Sequence, residues 1–215
     1  MSENIVSIAG DAYLFPIAEL STKLFSDLTL LQNDVQASQL ENGYSSSLCI
    51  LTAVWFESYT VRVRYLNSQS QHGSIKEPVP FMKALYPDFP LYDEMMEVFV
   101  LRDTLVHNHL WMIEFSWDNT GDMKLDSAVK DAFSGDKKYR HYVDGKTRRT
   151  KKLKLNVVPT RVCNTDFKIV LKTVFDALWF VRMKDPAHIG FGNTHPLFKG
   201  QFLSLGQFVD QIQKA

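Results

Sequence analysis

From Val98 to Trp111 the chain reads Val-Phe-Val-Leu-Arg-Asp-Thr-Leu-Val-His-Asn-His-Leu-Trp. At about 100° per residue, Val98, Phe99, Leu101, Leu105, Val106 and Met112 share one broad helical face, and a face so apolar calls for burial. Arg102 falls in the middle of that face. A permanently charged guanidinium there is costly unless it is paired or looks into a cleft or interface. Asp103 and His107, four residues apart, fall on a neighbouring strip where they can touch. The segment thus demands a helical core around it and a partner for Arg102.

The same period recurs elsewhere. Leu14, Ile17, Leu20, Leu24, Leu28 and Leu31 predict a first helix over Asp11 to Ala37, with Pro16 near its start. Asn42-Gly43 predicts a break, after which the serines at 45 to 47 cap a second helix, Leu48 to Leu66. Glu57 falls inside an apolar stripe of that helix, where its carboxylate either reaches a solvated edge or needs a cation such as Arg102. Asn67 to Pro90, rich in Ser, Gln, Gly and Pro, reads as loop with one short helix around Phe81 to Tyr86. A third long helix spans Leu91 to about Ser116, and a fourth runs from Thr165-Asp166 to about Lys184. A tail from about Pro186 closes with a short helix starting near Ser204.

Between these last two helices the composition changes. Lys137, Lys138, Arg140, Lys146, Arg148, Arg149, Lys151 and Lys152 crowd around Asp144-Gly145, a hairpin turn signal. A small basic β-hairpin within about 135–158 is expected. The fold is therefore expected to be mainly α: one domain over 1–215, an up-and-down bundle of four long helices with the hairpin inserted before the last. Since the net formal charge is zero, affinity for nucleic acid has to come from this local patch. Its lysines and arginines suit phosphates, and Tyr139 and Tyr142 suit unpaired bases. An acidic partner protein would suit the patch equally, and a merely solvated charged face is the bland alternative.

Cys49 and Cys163 lack metal-ligand spacing and read as small buried thiols of a reducing compartment, a disulfide being the lesser reading. His107 and His109 would point to different helix faces with nothing to complete a metal site, so neither metal nor cofactor is expected. The N-terminus lacks the basic and apolar regions of a signal peptide, and the longest near-apolar run, Leu48 to Phe56, is far below the roughly 20 residues that span a bilayer. A cytoplasmic, soluble protein without membrane contact is expected.

Leu101-Arg-Asp-Thr-Leu-Val-His-Asn108 resembles the signature helix of HEPN domains, in which an Arg is followed by a polar residue and, after four to six positions, by His. Asp103 stands where that family most often has Asn. Arg102 and His109 also satisfy the spacing, and so do Arg182 and His188, but the latter pair straddles Pro186 and cannot share a continuous helix. The resemblance implies a metal-independent endoribonuclease, often a toxin or phage-defence effector, whose motifs meet across a homodimer. Its chemistry would use His107 as general acid or base, Arg102 against the charge developing on phosphorus, Asp103 to orient the imidazole, and Glu57 as an added carboxylate. Partners would be RNA, a second copy of the chain and an antitoxin protein. The alternative is a catalytically inactive HEPN-like module that dimerises and binds RNA or an acidic protein.

Overall fold

The computed structural model describes residues 9–26, 39–68, 72–106, 111–117, 123–130, 137–190 and 194–215. The chain is mainly helical. Its α-helices are α1 (Leu14–Ser26), α2 (Gln39–Leu66), α3 (Pro78–Leu85), α4 (Tyr92–Val106), α5 (Lys137–Tyr142), α6 (Asn164–Lys184) and α7 (Leu205–Lys214). Antiparallel strand pairs are β1 (Trp111–Trp117) with β2 (Met123–Lys130), β3 (Val143–Asp144) with β4 (Arg149–Thr150), and β5 (Leu197–Phe198) with β6 (Gln201–Phe202). No described helix is long and apolar enough to cross a membrane.

Helix α2 is central, packing against α1, α3, α4 and α6. Trp55, Phe56, Tyr59 and Val63 are fully buried along it, each large side chain contributing roughly 1.5–3 kcal/mol of burial free energy. Of the two apolar stripes that helical spacing marks along its sequence, Leu48, Leu51, Trp55 and Tyr59 pack inward, whereas in the second, Ile50, Val54, Val61 and Tyr65, the last two are more than half exposed. Of the face that helical spacing marks for burial on α6, which packs against α2, Phe167, Val170, Leu171, Val174, Leu178 and Val181 are buried, whereas Phe175 is only partly so.

Several boundaries differ from expectation. The first helix is preceded by a 3-10 turn, Ala9–Tyr13, and starts at Leu14, so that Pro16 sits in the first turn, where a missing N–H costs nothing; residues 27–37 of the expected helix lie outside the described residues. Helix α2 runs straight through Asn42-Gly43. Tertiary bonds explain why: the Asn42 amide donates to the carbonyls of Pro159 (2.6 Å) and Val162 (2.9 Å), and Ser45 is buried inside the helix, not capping it. The third long helix is described from Tyr92 to Val106, and residues 107–110 lie outside the described residues. From Trp111 the alternation Trp-Met-Ile-Glu-Phe-Ser-Trp has period two, and it forms a strand paired with Met123–Lys130, with a register shift after Glu114. Met112 is therefore not part of the helical face. Lastly, the basic segment is only in part a hairpin. Tyr139 and Tyr142, three apart, turn into the core from the short helix α5, which removes them as platforms for bases. The strands flanking the turn are two residues each. The turn lies where Asp144-Gly145 predicts, with the Asp144 carboxylate accepting from Lys146 N at 2.8 Å. Cys49 is buried and Cys163 partly so, both as free thiols.

Beyond β4 the connection to α6 has little regular structure, only a bridge between Arg149 and Asn156 and a 3-10 turn at Pro159–Arg161. Buried carboxylates hold it. Glu41, Glu97 and Asp166 are each at most 2% exposed, and all three accept from residues 152–164. Glu97 takes the backbone N–H of Lys152 (2.7 Å) and of Leu153 (2.8 Å). Asp166, in the first turn of α6, takes Asn156 N and Nδ2, both at 2.9 Å, and Cys163 N at 3.0 Å. Glu41 takes Asn164 N at 3.0 Å and its Nδ2 at 2.6 Å. A charge removed from water is tolerated only with such a set of donors.

Removing one acceptor leaves several buried donors unsatisfied. Asp166→Ala is expected to lower unfolding free energy by about 2–4 kcal/mol, read as a fall in the urea midpoint; a loss below about 0.5 kcal/mol would contradict this role.

Candidate functional site

Arg102 leaves α4 one turn before its end. Its side chain is 19% exposed, and its guanidinium lies 5.0 Å from the centroid of the Phe99 ring. Nη2 is 3.4 Å from Oε2 of Glu57 on α2, and Nη1 is 3.2 Å from Oδ1 of Asp103. Lys138 of α5 reaches Oδ2 of Asp103 at 3.0 Å. The order is Glu57, Arg102, Asp103, Lys138, with signs alternating along the row. The pairing meets the demand the sequence made of Arg102, yet neither carboxylate grips the guanidinium through two oxygens, so N–H donors remain for a ligand. Glu77, Pro78, Val79 and Pro80 at the start of α3 complete a cleft of about 250 Å³ with Met96, Phe99, Arg102, Asp103 and Lys138. Two cations, two carboxylates and an aromatic edge line it. Such a cleft can hold a small polar or anionic group.

His107 and His109 lie outside the described residues, and Asp103, the residue expected to orient His107, spends its two oxygens on Arg102 and Lys138. His188, the histidine beyond Pro186, is elsewhere. The Tyr86 hydroxyl is 2.6 Å and the Asp185 carboxylate 3.1 Å from its Nδ1, while Asn67 Nδ2 donates to Nε2 at 3.0 Å. That is a structural neutral imidazole. Burial holds its pKa below the usual value, opposed by the Asp185 carboxylate and assisted by Arg62.

The basic residues divide. Lys137, Arg140, Lys146, Arg149 and Lys151 are exposed, and Arg148 is half-buried at φ 55°, one of two cations here in the left-handed region with Lys154 at φ 60°. Lys138 is engaged with Asp103, and Lys152 reaches Asp93 (2.9 Å) and Glu94 (3.4 Å). The segment is an exposed cationic strip tied down at its back.

Glu97 does much of that tying, and it is absent from the residues that the sequence pattern singles out. The signal is present nonetheless, a carboxylate between Met95-Met96 and Val98-Phe99, the same anomaly that marks Arg102. Both sit on α4, so one helix positions the cleft and the cationic strip. Comparison of the chain with known proteins finds no matching family model, no matching curated protein and no matching solved structure.

Glu97→Ala is expected to free the strip, with limited trypsin cutting after Arg148, Arg149 or Lys151 at least about tenfold faster than in wild type and Glu97→Gln intermediate; equal rates for all three would contradict the tether. For His188 the folded pKa is the lower one, so its contribution to stability is present above about pH 6.5 and is lost as pH falls below it. Between pH 7 and pH 5 the wild-type urea midpoint should fall more than that of His188→Gln, and parallel declines would exclude His188 as a source of the acid sensitivity.

Proposed function

We propose that the chain is a metal-independent endoribonuclease of HEPN type, acting as a homodimer in which the Arg102 cleft meets the phosphodiester. The observation that carries this reading is Arg102 itself. It is a guanidinium set into an apolar helix face, fixed by Glu57 and Asp103 and lining an open cleft, five residues ahead of His107 in the chain. In the reaction, the 2′-oxygen of the substrate attacks phosphorus as His107 takes its proton, and the bond to the 5′-oxygen breaks as that oxygen takes a proton from solvent. The products are a 2′,3′-cyclic phosphate and a 5′-hydroxyl. Arg102 stabilises the charge on the phosphoryl oxygens, and Lys137, Arg140, Lys146, Arg149 and Lys151 hold the strand by its phosphates. Val61 and Tyr65, one and two turns beyond Glu57 on α2, are more than half exposed. Val106, one turn beyond Arg102 on α4, is 46% exposed, and apolar surface left open on these two helices supports packing by a second copy. The up-and-down bundle layout, the toxin or defence role, an antitoxin partner and a cytoplasmic site of action belong to the same proposal.

One observation favours the second reading, a catalytically silent module that binds RNA through the cationic strip. The row from Glu57 to Lys138 is neutral as it stands, and an incoming phosphate competes with Asp103 and Glu57 for its cations. The two readings separate on single-stranded RNA in excess EDTA. The nuclease leaves cyclic-phosphate ends, and Arg102→Ala and His107→Ala each lower the rate by about 10²-fold or more while the helical circular dichroism persists. Intact RNA with wild-type protein, or undiminished cleavage by His107→Ala, would overturn the mechanism. Binding without cleavage, weakened by charge reversal at Arg149 and Lys151, would establish the module.

A further inference from the structure

A second cleft lies away from Arg102, between the C-terminal half of α6 and the start of α7. It encloses about 470 Å³ and is lined by Phe175, Trp179, Arg182, His195, Ser204 and Asp210, among others. Its volume falls in the range of small-ligand sites. The lining has three chemically distinct parts.

The first is flat. Phe175 and Trp179 are one helical turn apart on α6, with ring planes 26° from parallel and centroids 5.9 Å apart, and the indole is 45% exposed. A large aromatic ring kept this open on the wall of a cleft offers stacking surface to a planar group.

The second is cationic. The Arg182 guanidinium lies 5.8 Å from the Trp179 ring centroid, and His195 is exposed across the cleft. The first turn of α7 opens on the same space. Ser204 caps it, exchanging bonds with Gln207, while the N–H groups of Leu205 and Gly206 belong to the set that a helix leaves without intrahelical partners. At Gly206 a side chain would meet nothing within 4 Å, so the backbone there is open to approach. A helix start beside a guanidinium favours a phosphate.

The third is a carboxylate. Asp210 stands exposed one turn further along α7 and lines the same cleft, where a carboxylate suits the hydroxyls of a ribose. An inorganic anion would use only the second part, and an apolar ligand only the first.

We propose that this cleft binds one nucleotide unit, the base against Trp179, the ribose at Asp210 and the phosphate between Arg182 and the first turn of α7. The unit is a free 5′-mononucleotide or one residue of an RNA strand. The cleft shares no lining residue with the Arg102 cleft, and the inference stands whether or not that cleft is catalytic.

The test is calorimetric titration of the full-length chain with AMP, adenosine, inorganic phosphate and hexa-adenylate. AMP should bind at least about tenfold more tightly than adenosine or phosphate alone. Trp179→Ala and Arg182→Gln should each weaken it about tenfold or more, and Asp210→Asn, at an exposed position, should weaken it by a smaller factor without affecting the fold. Trp179→Phe should retain most of the affinity but lose the quenching of tryptophan emission that AMP causes. Tighter binding of AMP than of hexa-adenylate assigns the free nucleotide, and the reverse assigns the strand. No saturable binding of either up to about 5 mM, or binding untouched by all four substitutions, would overturn the proposal.

Discussion

A carboxylate withdrawn from water has to find hydrogen-bond donors, and a stretch of chain without helix or strand has backbone N–H groups that need acceptors. In this protein the two needs answer one another. Glu97, Asp166 and Glu41 come from α4, α6 and α2, and their bonds converge on the irregular connector between β4 and α6. Each bond to a charged acceptor is stronger than a neutral one by about a factor of two, and those of Glu97 and Glu41 tie the connector and the start of α6 to other helices. The connector is in this sense the joint of the fold. It orients α6 on α2 through Asn164 and Asp166, and it fixes the reach of the basic turn from α4. The left-handed backbone at Arg148 and Lys154, which costs roughly 1 kcal/mol or more per residue without glycine, persists because the tethers on either side determine the path.

This arrangement has consequences for any function the surface carries. With the connector's backbone turned inward to the carboxylates, Lys151 on the connector, and Lys146 and Arg149 on the turn and strand just before it, face solvent. Helix α4 carries Glu97 at its middle and Arg102 one turn and a half later, so a ligand pulling on the cationic strip bears on the helix that lines the Arg102 cleft. A nuclease would gain from that linkage by keeping strand and cleavage site in register. A binding module would gain only rigidity.

How much of this is legible in the sequence depends on which forces act locally. The helical period of Phe167 to Val181 and of Leu48 to Tyr59 stands out because burial against a helix repeats every three to four residues. The need of Arg102 for a partner is legible for the same reason, and Glu57 stands out as a second misplaced charge. Asn42-Gly43 misleads because its turn propensity is a local preference of at most about 1 kcal/mol, outweighed by contacts with residues more than a hundred positions away. Trp111 to Trp117 misleads when apolar content is weighed ahead of alternation. Tyr139 and Tyr142 read as exposed because every neighbour is charged, yet a spacing of three on a short helix puts both rings inside. Glu97 is the instructive omission: the rule that exposes Arg102 applies to it unchanged, but its partners are backbone amides, which a sequence does not display.

Native-state hydrogen exchange on the connector tests the central claim most directly. The amides of Lys152, Leu153, Asn156, Cys163 and Asn164 lie largely outside regular structure, and several of their side chains, those of Lys152 and Leu153 among them, are at least partly open to solvent. If buried carboxylates hold them, they exchange only with openings whose free energy approaches that of global unfolding, in step with the interior amides of α6. Exchange of these five amides near the unstructured rate, while α6 remains protected, would show that the connector is not the joint described.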